Sequence, residues 1–265
     1  MGVLLDRAGD ERFAGKSRVF RSFLAEQDPD QTLYEGLMEG LVYRQNQHAF
    51  LLLAQRAGYG ALHRAAIRLP AEERAPAIEH WLITLSGLFS PEHSKPKTLP
   101  RAGFGTPLPA QVWHCFRVRP ANHPLRRIAG AARMVVRYLE PGLVEGLSDI
   151  AATSKPALLT SALAVASGPA PGPAPVGIGR ARDLAVNVVL PCLHGLAEMG
   201  GDARRAESYL ELYHRFGKLQ DNELTREMTG QLVDPDWAAD SQKVANNARR
   251  QQGLLHLKYL VSGVG

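Results

Sequence analysis

Apolar positions recur at helical spacing over most of this chain. In "DQTLYEGLMEGLVYR" Leu33, Leu37 and Leu41 fall about one turn apart, with Asp30 placed to cap the start. "NQHAFLLLAQRAG" predicts a second helix, capped by Asn46 and stopped at Gly58. "PAEERAPAIEHWLITLSGLF" predicts a third, with Pro70 and acids in its first turn and Ile78, Leu82, Leu85 and Leu88 along one face. Helical periodicity resumes from His123 to Leu139, with Asn122 as N-cap, and continues in shorter pieces to about Ala166. "RARDLAVNVVLPCLHGLAEMG" reads as a buried helix kinked at Pro191. Asp202 caps the next helix, Asp221 or Asn222 caps another, and Leu254, Leu257 and Val261 give the closing run an apolar stripe. Two stretches break the pattern: residues 90–109 and 167–178 are rich in proline and glycine and read as loops. No run alternates with the period of a strand, and no block repeats at a fixed spacing. The pattern predicts an all-α fold, an irregular multi-helix bundle forming one domain over residues 1–265 with long Pro/Gly-rich loops.

Charge changes the picture once it is located. The chain carries a net +5, but residues 101–140 hold seven arginines against a single acid, Glu140. That window alone is +6, so the rest of the chain is close to neutral. Regional basicity of this kind is what a polyanion footprint looks like. A coding bias gives another account, since arginine outnumbers lysine 24 to 7. Cys115 and Cys192 are the two cysteines, which implies no disulfide framework and a cytoplasmic protein. Val3, Leu4 and Leu5 are too few for a secretory signal, and "PALLTSALAVAS" is too short to cross a membrane.

The densest basic stretch is "RVRPANHPLRRIAG", Arg117 to Gly130, with four arginines around a helix start. A helix N-terminus attracts anions, so Arg119, Arg126 and Arg127 are electrostatically misplaced there unless an anion sits among them. That anion is either a carboxylate of this chain, such as Glu35, Glu39 or Glu79, or an external phosphate, whose oxygens match guanidinium forks. "GIGRARD" repeats the arrangement, with Arg180 and Arg182 after Gly177 and Gly179, and reads either as a plain turn or as a second anion site. It lacks the GK[ST] of a P-loop. Asn187 stands among valines and needs hydrogen-bond partners from another helix. Arg249 to Gln252 read as a solvated helix face or a phosphate contact. Cys192 with His194, and His114 with Cys115, lack the spacing of a zinc site, and the sequence implies no metal or cofactor.

Several segments together resemble a known family. "LYEGLMEGLVYRQNQHAFLLLA", "FRVRPANHPLRRIAGAA", "GRARDLAVNVVLP" and "RRQQGLLHL" are similar, in order, to blocks of the bacterial domain of unknown function 2851 family. The most specific is an RPxNxPxxR block, met by Arg119, Pro120, Asn122, Pro124 and Arg127. The resemblance implies that members are longer, with a preceding half like a restriction-endonuclease core, and that this chain corresponds to the helical C-terminal half, from a truncated gene or an internal start. Many relatives end in a cysteine-bearing tail, whereas this chain ends "HLKYLVSGVG". The resulting expectation is a non-catalytic helical domain that binds DNA, RNA or another polyanion and serves a DNA-processing protein. Its anion-binding residues are Arg119, Asn122, Arg126, Arg127 and Arg182, with Arg180, Asn187 and Arg250 as secondary candidates. Two alternatives stand: an enzyme for a small anionic substrate, and an interaction domain whose arginines are paired internally.

Overall fold

The computed structural model describes residues 1–88, 104–167, 172–220, 228 and 244–262. Its helices run α1 (Gly2–Leu24), α2 (Pro29–Gly40), α3 (Arg44–Arg56), α4 (Tyr59–Ala66), α5 (Ala71–Ser86), α6 (Pro124–Val136), α7 (Leu143–Ala152), α8 (Pro156–Leu163), α9 (Ile178–Leu184), α10 (Leu190–Met199), α11 (Ala203–His214) and α12 (Ala248–Ser262). Short 3₁₀ turns occupy Ala110–Val112 and Pro120–Asn122, and a π-turn covers Ala185–Val189. Among the described residues the only β-pairing is two isolated bridges, Val165–Val176 and Gly217–Asn247. The protein is all-α. Residues 90–103 of the first expected loop, and the expected caps Asp221 and Asn222, lie outside the described residues.

The chain forms two compact units. One comprises Met1–Glu26, Ile150–Leu159 and Ala185–Gly265, the other Gln27–Asp149 and Thr160–Leu184. In the first, α1 packs against α12 and α10. Glycines make the closest approach: a Cβ on Gly9 would stand 2.2 Å from the Arg249 carbonyl oxygen, and one on Gly253 2.2 Å from that of Leu5. Phe13 stacks on Tyr213, whose hydroxyl donates to the Gly9 carbonyl. In the second unit α2 packs on α3 and α5 on α6, around Leu33, Leu37, Phe50, Leu82 and Ile128. Trp113 stands edge-on to Phe50 and donates from Nε1 to the Ser86 carbonyl at 2.6 Å. Gly87, at φ +67, ends α5 where a side chain would strike Leu108 O, so glycine is required there.

Several helix ends differ from the sequence reading. Asp28, not Asp30, caps α2, accepting from Gln31 N. Asp30 instead reaches α7 and accepts from Val144 N at 2.8 Å. Asn46 lies inside α3, where its amide pairs twice with the His114 backbone, mimicking a peptide. Gly58 starts α4 rather than ending α3. The anomaly at Pro191 is the π-turn ahead of it, whose wider ring accommodates a residue with no N–H to donate. Asp202 does cap α11, through Arg205 N. Val261 is 86% exposed and contributes nothing to an apolar stripe on α12, where Leu254 is buried and Leu257 partly buried.

Candidate anion site

The basic stretch is built by proline. Pro124 at the first position of α6 forces His123 into extended backbone, so His123 takes the N-cap position with no side-chain cap. Asn122 ends the preceding 3₁₀ turn instead, and its Oδ1 accepts from Arg127 Nη2 at 2.8 Å. Arg127 is 5% exposed, and its Nη1 donates to the Pro175 carbonyl at 2.8 Å. One residue earlier, Arg126 donates to the Pro173 carbonyl at 2.6 Å. A turn or more downstream, Arg137 donates to the carbonyls of Ala162 and Ala164. Gly130 permits this closeness, since a Cβ there would stand 2.9 Å from Val176 Cγ2. Arg126, Arg127 and Arg137 therefore clamp the backbone at Ala162, Ala164, Pro173 and Pro175, with carbonyl dipoles as their partners.

Glu35, Glu39 and Glu79 pair with none of Arg119, Arg126 and Arg127 among the described residues. Glu35 accepts from Gln31. Glu140, the acid of the basic window, stands 3.6 Å from Arg74. Glu79 lines a groove of about 780 Å³ beside α5, with Glu72, Glu73, His80, Trp81 and Arg133. Arg133 thus sits near acids. Arg117 and Arg119 are exposed, with Arg117 over the equally exposed Phe116 ring.

Arg180 lies close enough to Arg127 to repel its charge. Its guanidinium lies 4.4 Å from the Tyr43 ring centroid, its Nη1 is 3.4 Å from the Gly40 carbonyl oxygen, and Asp183 Oδ2 is 3.6 Å away. The Nε atoms of both Arg127 and Arg180 are buried with no hydrogen-bond partner among the described residues. Burial, and then the repulsion of Arg180, pull the Arg127 guanidinium down to about 10, so it stays charged at neutral pH. Asn122 thus holds Arg127, and Tyr43 covers Arg180. Arg119 and Arg182 are exposed.

The remaining sequence candidates are structural. Lys16 donates to Asn187 Oδ1, giving that amide the interhelical partner it needs, and also to Gln252. Arg250 makes a forked pair with Asp6, at 2.9 and 3.2 Å. Its neighbour Arg249 forks onto Asp10, and Gln251 exchanges hydrogen bonds with the Leu219 backbone. This is a packed seam, not a solvated face. The pattern missed one constellation, Ser17, His194 and Glu198. Ser17 Oγ and Glu198 Oε2 both approach Nδ1 of the ring, at 2.8 and 3.5 Å. A proton relay needs them on opposite nitrogens, so this is not a nucleophile with its base. Cys192 is buried, which pushes its thiol up to about 12, while Cys115 is exposed.

The family described as "Protein of unknown function (DUF2851)" matches residues 2–167. The match takes in the whole 119–127 block and ends ahead of Arg180 and α12. No curated protein and no solved structure matches the chain. No helix among the described residues is long and apolar enough to cross a membrane.

Proposed function

We propose that this chain, which belongs to the DUF2851 family of proteins of unknown function, is a helical domain that grips a nucleic-acid backbone. Arg117, Arg119 and Arg126 supply the contact. One observation carries the reading: among the described residues these three cations have no carboxylate within ion-pair distance. Arg117 and Arg119 are exposed, and Arg126 is partly so. Arg126 spends one N–H on a carbonyl, which leaves the remaining donors of its fork for phosphate oxygens. Cytoplasmic residence and service to a DNA-processing protein belong to the same proposal.

The backbone clamp formed by Arg126, Arg127 and Arg137 supports a second reading, a scaffold whose arginines are structural. Fluorescence anisotropy with labelled single- and double-stranded DNA and RNA over a salt series separates the two. With about three phosphate contacts, log affinity falls against log salt with a slope of roughly −2 to −3. Arg117→Glu/Arg119→Glu, which touches no clamp residue, abolishes binding while retaining the parent's circular dichroism. Absent binding at low salt, or binding indifferent to salt, would leave the scaffold reading standing.

A further inference from the structure

Between Cys115 and Arg117 stands Phe116, 70% exposed, on a loop whose two ends are tied down. On one side Trp113 is buried, edge-on to Phe50 and bonded to the Ser86 carbonyl. Next to it the Asn46 amide holds both backbone groups of His114, at 2.8 and 2.9 Å. On the other side Asn122 N donates to the Arg119 carbonyl at 2.8 Å, and Asn122 Oδ1 accepts from the buried Arg127. The ring is presented to solvent from a fixed base, so less freedom is lost when a partner lands on it.

Arg117 is unusual too. Its φ is +53, a left-handed conformation that a non-glycine residue rarely adopts. Neighbouring side chains of an extended chain point to opposite sides. Here the Arg117 guanidinium instead lies over the Phe116 ring, 5.0 Å from its centroid. Arg119 follows three residues after Phe116, so their Cα atoms are within about 11 Å of each other. Neither arginine has a carboxylate partner among the described residues. A ring flanked by two such cations is a poor match for the core of a protein interface, where charge is depleted. It matches a nucleotide, which offers a flat base beside its own phosphates.

We propose that Phe116 is a stacking platform for an unpaired base, so that the polymer held by Arg117 and Arg119 is single-stranded nucleic acid. This inference rests on the grip proposed above and specifies its substrate class. Arg117 lies over one face of the ring, which leaves the opposite face for the base. Inside a duplex the neighbouring bases already cover both faces of each base, and Phe116 has nothing to stack on. In a single strand the base turns onto the ring while its phosphates meet the guanidinium forks.

Anisotropy of the full chain at low salt compares three labelled probes of equal length: a single strand, its duplex, and a strand of abasic sugars that keeps the phosphates and lacks the bases. The base-bearing strand binds roughly tenfold tighter than the abasic one, the gain expected of one stacked base. Phe116→Ala removes that gain and leaves duplex and abasic binding where they were. Its salt slope is the parent's, because no charge is lost. Phe116→Trp, which keeps a stacking face, binds the single strand at least as well as the parent.

Equal affinity for base-bearing and abasic strands, or a Phe116→Ala chain that binds like the parent, overturns the platform and leaves the grip standing. Failure of the parent to bind any of the three overturns both. Single-strand binding retained in Arg117→Glu/Arg119→Glu but lost in Phe116→Ala rejects the grip and keeps the platform. Self-association seen by sedimentation in the parent and abolished in Phe116→Ala assigns the ring to a second copy of the chain and overturns the platform.

Discussion

Gly253→Ala lowers the stability of the α1/α12 unit by about 3 kcal/mol, at the upper end of what overpacking usually costs. The reason is geometric. The new methyl would stand 2.2 Å from the Leu5 carbonyl oxygen, an atom fixed in helical backbone that cannot rotate aside. Gly9→Ala fails in the same way against Arg249 O, also at 2.2 Å. Either substitution pushes the two helices apart. Separation also stretches the Asp6–Arg250 and Asp10–Arg249 pairs, which bridge the same seam. Gly217→Ala is the control, because a Cβ there meets nothing within 4 Å, and it shifts stability by no more than about 0.5 kcal/mol. Urea denaturation followed by circular dichroism measures all three. Equal effects at positions 253 and 217 would mean that the helices do not cross this closely.

Asp10→Ala costs about 2 kcal/mol in the same unit. Asp10 Oδ1 takes Arg249 Nε at 2.8 Å and His214 Nε2 at 2.8 Å, and Oδ2 takes Arg249 Nη2. Removing the carboxylate leaves Arg249, at 26% side-chain exposure, with a half-buried charge and two broken hydrogen bonds. Partial exposure keeps the loss below that of a fully buried pair. Asp6 adds a pH dependence. The hydrogen bond from Arg250 holds its carboxyl below the usual carboxylate value of 3.8. A folded-state pKa below the unfolded one gives stability that is complete above the unfolded value and disappears as pH falls through the folded one. The α1/α12 seam therefore weakens below about pH 4. Asp6→Asn removes that component of the acid transition, and circular dichroism against pH, parent beside variant, reads the difference. An unchanged acid limb would show that Asp6 is not held this way.

What the sequence made legible follows from which partners have a signature there. Helical periodicity found α2, α3, α5, α6 and α10 because apolar spacing reports burial directly. It did not delimit α1, whose buried face mixes Leu5, Ala8, Gly9, Phe13 and Ser17; small residues at a close crossing carry little hydrophobic signal. The local excess of arginine was visible, and so was the anomaly of placing it at a helix start. Its partners were not, because Arg126, Arg127 and Arg137 bind backbone carbonyls, and every residue in the chain offers one. Three amide or carboxylate side chains misled for a related reason. Asp30, Asn46 and Asn122 sit where a local cap was expected, yet each bonds a group other than its own helix start, and only the fold decides which partner is nearer. Arg182 looked equivalent to Arg180 in the sequence. Two residues of helix, about 200° of rotation, turn one inward and the other to solvent.

The two thiols make the molecule its own reporter. Cys192 is sealed in α10 among buried apolar neighbours, and desolvation keeps its sulfur protonated and inert. Cys115 is exposed and reacts with an alkylating reagent whether or not the chain is folded. Once Cys115 has been capped in the native state, every later modification is an event at Cys192. Its rate counts openings of α10, with no introduced label and no altered residue.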